Sequence, residues 1–131
     1  MLATDFPEYS REISDLLNGL VKAGYATLID LQMDQRSAVR GLINGLLRFD
    51  DNSELHIREF VDLTQVESRV MYVYHFQEAS GNLVFRYDNA AHRPPLPQVH
   101  HKHIPNGVRA AQIPSLMAVL DEILAEHMTR G

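Results

Sequence analysis

No cysteine occurs among the 131 residues. That excludes a disulfide, a thiolate zinc site and a thiol nucleophile. Long apolar runs are missing too. None reaches the roughly 18 residues that a membrane-spanning helix needs, so no membrane partner is expected. The opening stretch MLATDFPEYSRE carries acids where a secretion signal needs cations and a long apolar core. A cytoplasmic location is therefore the expectation. Positive charge is scarce as well: 12 Lys and Arg stand against 17 Asp and Glu, for a net charge of −5. That balance argues against a generic nucleic-acid binder. What remains is ordinary for a soluble globular protein, with 45% hydrophobic and 22% charged residues. Residues 1–131 are read as a single domain with room for a real core.

The charge is unevenly spread. Residues 82–109 hold Arg86, Arg93, Lys102 and Arg109 against Asp88 alone, and the rest of the chain is acidic. The same segment holds His92, His100, His101 and His103, four of the seven histidines. A local positive potential can hold an anion even on an acidic protein.

Two amphipathic stretches frame the chain. Ile13, Leu16, Leu17, Leu20 and Val21 repeat at helical spacing, Asp5 and Glu8 make a capping-box-like start, and Gly24 supplies a stop. Pro114 opens a second such stretch, with Leu116, Val119, Leu120, Ile123 and Leu124 on one stripe. Between them lie five strand-like segments, at 26–33, 39–49, 54–63, 69–78 and 83–89, rich in β-branched and aromatic residues in the later ones. The connections are short, so neighbouring strands should pair antiparallel. The fold expected is α+β: an antiparallel meander of about five strands with the N- and C-terminal helices packed on one face.

Pairing apolar against apolar sets the registers. A Ser80-Gly81 turn pairs Phe76 with Phe85, Tyr74 with Tyr87 and His75 with Arg86. An Asp51-Asn52-Ser53 loop pairs Phe49 with Leu55 and Leu47 with Ile57. The next pairing sets Ile57 by Phe76, Glu59 by Tyr74 and Val61 by Tyr72. One sheet face is then apolar. The other carries Arg48, His56, Arg58, His75, Gln77, Arg86 and Asp88, and a half-buried antiparallel sheet ordinarily turns such a face to water.

Some residues point to chemistry. Glu59 breaks the apolar face, so it needs donors or a raised pKa, and Tyr74 is the partner this register offers. Arg86 and Asp88 share a side; they make either a surface ion pair or an anion clamp, since a guanidinium binds phosphate bidentately. His101 and His103 share a side in an extended backbone and His100 faces away. A His-x-His pair can chelate a metal, with Asp88, His92 or Glu59 as third ligand, but it lacks a diagnostic spacing. Histidine beside arginine also suits acid–base cleavage of RNA, which brings its own 2′-hydroxyl nucleophile. No metal and no cofactor is required for that chemistry.

The stretches LRFDDNSELHIREF, YVYHFQEASGNLVFRYDNAAHRPPLPQVHHKHIPNG and PSLMAVLDEIL resemble the TumE family, over about residues 41–125. One departure is Asn52, where the family pattern has glycine; asparagine also tolerates left-handed backbone. The resemblance implies a toxin of a type II toxin–antitoxin module, partnered by an antitoxin with a helix-turn-helix domain. It places Glu59, His75, Arg86, Asp88, Asn89, His92, His100, His101 and His103 on the motif without assigning roles. It names a system and not a reaction.

The reading favoured is a metal-independent ribonuclease. In it His92, His101 and His103 move protons, Asp88 orients a histidine and Glu59 is a further candidate acid. Arg86, Lys102, His75, Asn89 and His100 would bind RNA. The alternatives are a non-catalytic protein- or RNA-binding inhibitor and a metal-dependent enzyme. A homodimer that completes the site is a further alternative.

Overall fold

A computed structural model describes residues 3–90 and 99–127. The elements are α1 (Phe6–Lys22), β1 (Ala26–Gln35), β2 (Arg40–Phe49), β3 (Glu54–Asp62), β4 (Arg69–Gln77), β5 (Leu83–Asp88), β6 (His101–Ile104), β7 (Gly107–Ala110) and α2 (Leu116–Glu122), which runs on as one wider π turn over Ile123–His127. The strands form a single antiparallel sheet in chain order.

The α+β class and the antiparallel meander hold, but there are seven strands rather than about five. The two extra strands are β6 and β7. Part of the histidine-rich run is therefore ladder and not loop. HKHI and GVRA are too short and too polar to show period-2 alternation. Their hairpin turns on Pro105-Asn106.

Local chemistry sets the ends. The Asp5 carboxylate accepts from the Glu8 N–H at 2.9 Å, and the Glu8 carboxylate accepts from the Thr4 N–H at 2.9 Å. α2 is capped by the Ser115 hydroxyl, which accepts from the Ala118 N–H at 3.0 Å, so the helix starts at Leu116, two residues after the Pro114 start expected. Asn52 sits at φ 67° between β2 and β3, the left-handed geometry the turn demands.

Both helices lie on the apolar face. Phe6, Ile13 and Leu17 of α1 join Leu116, Val119, Leu120 and Ile123 in one cluster with Ile43, Leu47, Phe49, Leu55, Ile57, Val61, Tyr72, Tyr74, Phe76 and Phe85. The expected β4–β5 pairs all form. The other two registers slip by two residues: Leu47 faces Leu55, Leu55 faces Phe76, and Glu59 faces Tyr72. A shift of two keeps every side chain on its face, so the sorting of residues survives the error.

Gly41 lets α1 close on the sheet. A Cβ there would fall inside the ring of Phe6, which is buried. Gly41→Ala is expected to destabilise the fold by about 1–3 kcal/mol, as overpacking does. Thermal unfolding followed by circular dichroism should show a midpoint lowered by several degrees; an unchanged midpoint would mean that Phe6 swings aside freely.

Candidate functional site

The polar face is built from strand parity. Side chains at alternate positions of β3, β4, β5 and β6 stand on it, and cross-strand pairing lines them into rows. One row runs His56, His75, Arg86, His103. The next runs Arg58, Val73, Asp88, His101. Asn44, His56, Arg58, His75 and Arg86 line an open groove of about 560 Å³ across this face.

Asp88 is the hub beside Arg86, which it holds at the groove. It is only 2% exposed. Its carboxylate accepts from Arg86 Nε at 2.8 Å and lies 3.2 Å from His103 Nε2 and 3.6 Å from His101 Nδ1. The Ala90 N–H donates to it at 3.3 Å. A buried carboxylate needs donors, and Arg86 Nε and the Ala90 N–H supply them, with the two imidazoles beside it within ion-pair range. His101 is buried with it, at 3% exposure, whereas the His103 side chain is 22% exposed. Only His103 of the two offers ring surface to a bound molecule. Arg86 spends Nε on Asp88 while its side chain stays 39% exposed, so part of the guanidinium faces outward. Next to Arg86, His75 Nε2 pairs with Gln77 Oε1 at 3.1 Å, and the His56 ring meets the His75 ring edge-on at 6.0 Å. Burial, helped by Arg86, His56 and His103, lowers the His75 pKa and favours its neutral form.

Other sequence candidates stand apart. Lys102 is on the helix side, where its Nζ donates to Glu122 at 2.8 Å and lies 4.9 Å from the Tyr87 ring. Burial alone would lower the Lys102 pKa, but the bonds to Glu122 and Tyr87 outweigh it and hold it raised. Parity separates this residue from Arg86 although both were expected at one phosphate. His100 also faces away, stacked on Tyr72 with Nδ1 3.0 Å from the Tyr72 hydroxyl. Asn89 ties strand ends together: Oδ1 accepts from the Tyr72 N–H at 3.1 Å and Nδ2 donates to the Val70 carbonyl at 3.0 Å. His92 lies outside the described residues.

Glu59 is fully buried on the helix side. Tyr74 donates to its Oε2 at 2.5 Å and Tyr9 of α1 donates to its Oε1. Arg69 Nη1 donates to the Tyr74 hydroxyl at 3.1 Å and to the Pro114 carbonyl ahead of α2, while Nε reaches Glu67 at 2.8 Å. Burial raises the Glu59 pKa against the opposing pull of these bonds. The Tyr74 partner was legible in the sequence. Tyr9 and the Arg69 bridge to Pro114 were not, since no local pattern marks contacts made 50 and 45 residues away.

Among the described residues, one group sets three ligand atoms within 4.8 Å of one another: Glu122, Glu126 and His127 at the end of α2. It lies away from the histidine rows, and Lys102 and Tyr87 already bind Glu122. Among the described residues, no helix is long and apolar enough to cross a membrane.

The sequence matches the family model described as Toxin TumE over residues 20–130. No curated protein and no solved structure matches it.

Proposed function

The chain belongs to the TumE toxin family, and on that premise we propose that it halts growth by cutting RNA. In this reading it is the toxin of a type II module, neutralised by an antitoxin that carries a helix-turn-helix domain. The observation that carries the reaction is the buried Asp88 carboxylate, which gathers Arg86, His101 and His103, with Arg86 also lining the groove that holds His56, Arg58, His75 and Asp30.

Each residue then has a task set by its exposure. The outward edge of Arg86 binds the scissile phosphate and opposes the charge that builds on it. His103 moves the proton, with Nε2 3.2 Å from the Asp88 carboxylate and part of the side chain exposed. Asp88 fixes that ring's orientation and tautomer, as a carboxylate behind a catalytic histidine does. His101 is too buried to touch RNA and braces Asp88 from behind. His75, His56 and Arg58 line the path of the flanking backbone. The 2′-hydroxyl of RNA gives its proton to His103 and attacks the adjacent phosphorus; the P–O5′ bond breaks, the 5′-oxygen leaves with a proton from the imidazolium or from water, and a 2′,3′-cyclic phosphate remains, so the step needs neither metal nor cofactor. Lys102, His100 and Asn89 fall outside this site, and Glu59 is assigned to the scaffold.

Incubating the purified protein with total RNA, with and without chelator, tests this. Cleavage in both conditions, ending in 2′,3′-cyclic phosphates, is the expected result. Intact RNA from a sample that still halts growth would move the function to a non-catalytic inhibitor. Cleavage lost with chelator and restored by metal would make it a metal enzyme.

A further inference from the structure

The sheet has two edges of unlike character. β1 is ten residues long, is broken by a register shift between Leu28 and Asp30, and carries Asp30 and Asp34. Bulges and charges of this kind discourage a further strand from pairing. β7 shows no bulge, and its single charge is the cation Arg109. It is four residues long, exposed at every position, with Val108 46% exposed.

Its outward groups follow from the ladder. The Ala111 N–H donates to the His100 carbonyl at 3.2 Å. Hydrogen-bonded and non-bonded pairs alternate along an antiparallel ladder, so Lys102–Arg109 and Ile104–Gly107 are bonded pairs. Val108 and Ala110 therefore aim their N–H and C=O groups away from β6. A strand laid along β7 would pair with all four groups.

We propose that β7 is the docking edge for an extended, acidic strand of a partner protein. Charge argues against a second copy as the occupant. Antiparallel self-pairing that uses both Val108 and Ala110 centres on Arg109 and sets two guanidiniums opposite each other, and like charges so placed are destabilising. Arg109 has no acidic partner among the described residues. It is on the helix side, opposite Lys102, which Glu122 already neutralises. A carboxylate on the added strand opposite Arg109 completes the pair, and small apolar residues on either side fit against Val108 and Ala110. In a toxin–antitoxin pair, the antitoxin is the protein with reason to sit there. Strands lie about 4.8 Å apart, so the added strand stands about 10 Å from the strand of His103. Its polar-face side chains would narrow the end of the groove. That last consequence rests on the ribonuclease reading; the docking itself does not.

A backbone-amide NMR titration of the full chain tests the edge. The probes are two eight-residue peptides of alternating threonine and valine, blocked at both ends, one with a central glutamate and one with a central lysine. With the glutamate peptide, the Val108 and Ala110 amides should shift together and saturate. The lysine peptide should bind about fivefold more weakly, the size of one exposed ion pair. Arg109→Glu should reverse that preference, and Val108→Pro should abolish the shifts while the remaining spectrum stays folded. Shifts that ignore the sign of the peptide, or that spare Val108 and Ala110, would overturn the proposal. So would a dimer in sedimentation that Val108→Pro dissolves, because the second copy would then be the occupant. None of these readouts uses RNA, so failure here and failure of the ribonuclease reading are separable.

Discussion

Asp88→Asn is expected to leave a folded protein that no longer halts growth, with RNA cleavage slowed by about 10²–10⁴-fold, the usual contribution of a positioned proton-transfer group. The substitution keeps size and shape and removes charge. A carboxylate accepts on both oxygens: one takes Arg86 Nε and lies 3.2 Å from His103 Nε2, the other takes the Ala90 N–H and lies 3.6 Å from His101 Nδ1. An amide accepts on one side only and presents donors on the other. Arg86 and His103 meet one oxygen and the Ala90 N–H and His101 lie at the other, so one of these two pairs must then face the amide's donors, and the negative charge beside His103 is gone. Asp88 is buried and does not touch RNA in this reading, so kcat should fall with KM little changed. His103→Ala should match that loss. His101→Ala should lose less, because a buried brace is removed and not the proton carrier. A folded Asp88→Asn protein that kills as well as the wild type would remove this cluster from the mechanism.

Much of this arrangement was legible before any coordinates, and the reason is parity. Strand side chains alternate with a period of two, so Arg86, Asp88, His75 and His56 could be sorted to one face from the pattern alone. The sorting survived two registers that were wrong by two residues, because such slips preserve the face. Parity also separated His100 from His101 and His103. The same alternation puts Lys102 with His100, so its place beside Arg86 at one phosphate conflicts with the extended backbone that sorts the histidines. HKHI lacks apolar alternation, so nothing in the sequence marks it as a paired strand of the sheet. Glu59 was legible as an anomaly on an apolar face, but its clasp was not. Tyr9 reaches it from α1 and Arg69 bridges from β4 to the Pro114 carbonyl, contacts set by tertiary packing.

That clasp carries the other large effect, on stability. Glu59→Ala is expected to destabilise the fold by about 2–4 kcal/mol, because it leaves the Tyr74 and Tyr9 hydroxyls without their acceptor and opens a cavity. Out of a total of about 5–15 kcal/mol, that is a large fraction. Glu59→Gln separates charge from shape. A protonated glutamate and a glutamine offer the same groups, one acceptor and one donor, to the two tyrosines. Near pH 4 the two proteins should unfold at similar temperatures. Burial raises the folded-state pKa of Glu59, so the native state holds its proton more tightly than the unfolded chain, whose glutamate titrates near about 4.3. Stability from this group is complete below that value and declines as pH rises through the folded pKa. The glutamine variant has no such decline and should become the more stable of the two towards pH 8. His75 works in the opposite sense: its lowered pKa makes its contribution fall as pH drops below about 6.5. It is present in both proteins and cancels in the difference. The lowered pKa values of Glu54 and Asp62 act at the acid end and cancel likewise, whereas Glu67 repels the Glu59 carboxylate and adds to the decline that glutamine removes. The measurement is the difference in unfolding midpoint between the two proteins from pH 4 to pH 8. A gap that opens in favour of glutamine identifies Glu59 as a strained buried acid; a gap that favours glutamate at pH 8 would show that the two tyrosines and Arg69 hold the ionised carboxylate better than they hold an amide.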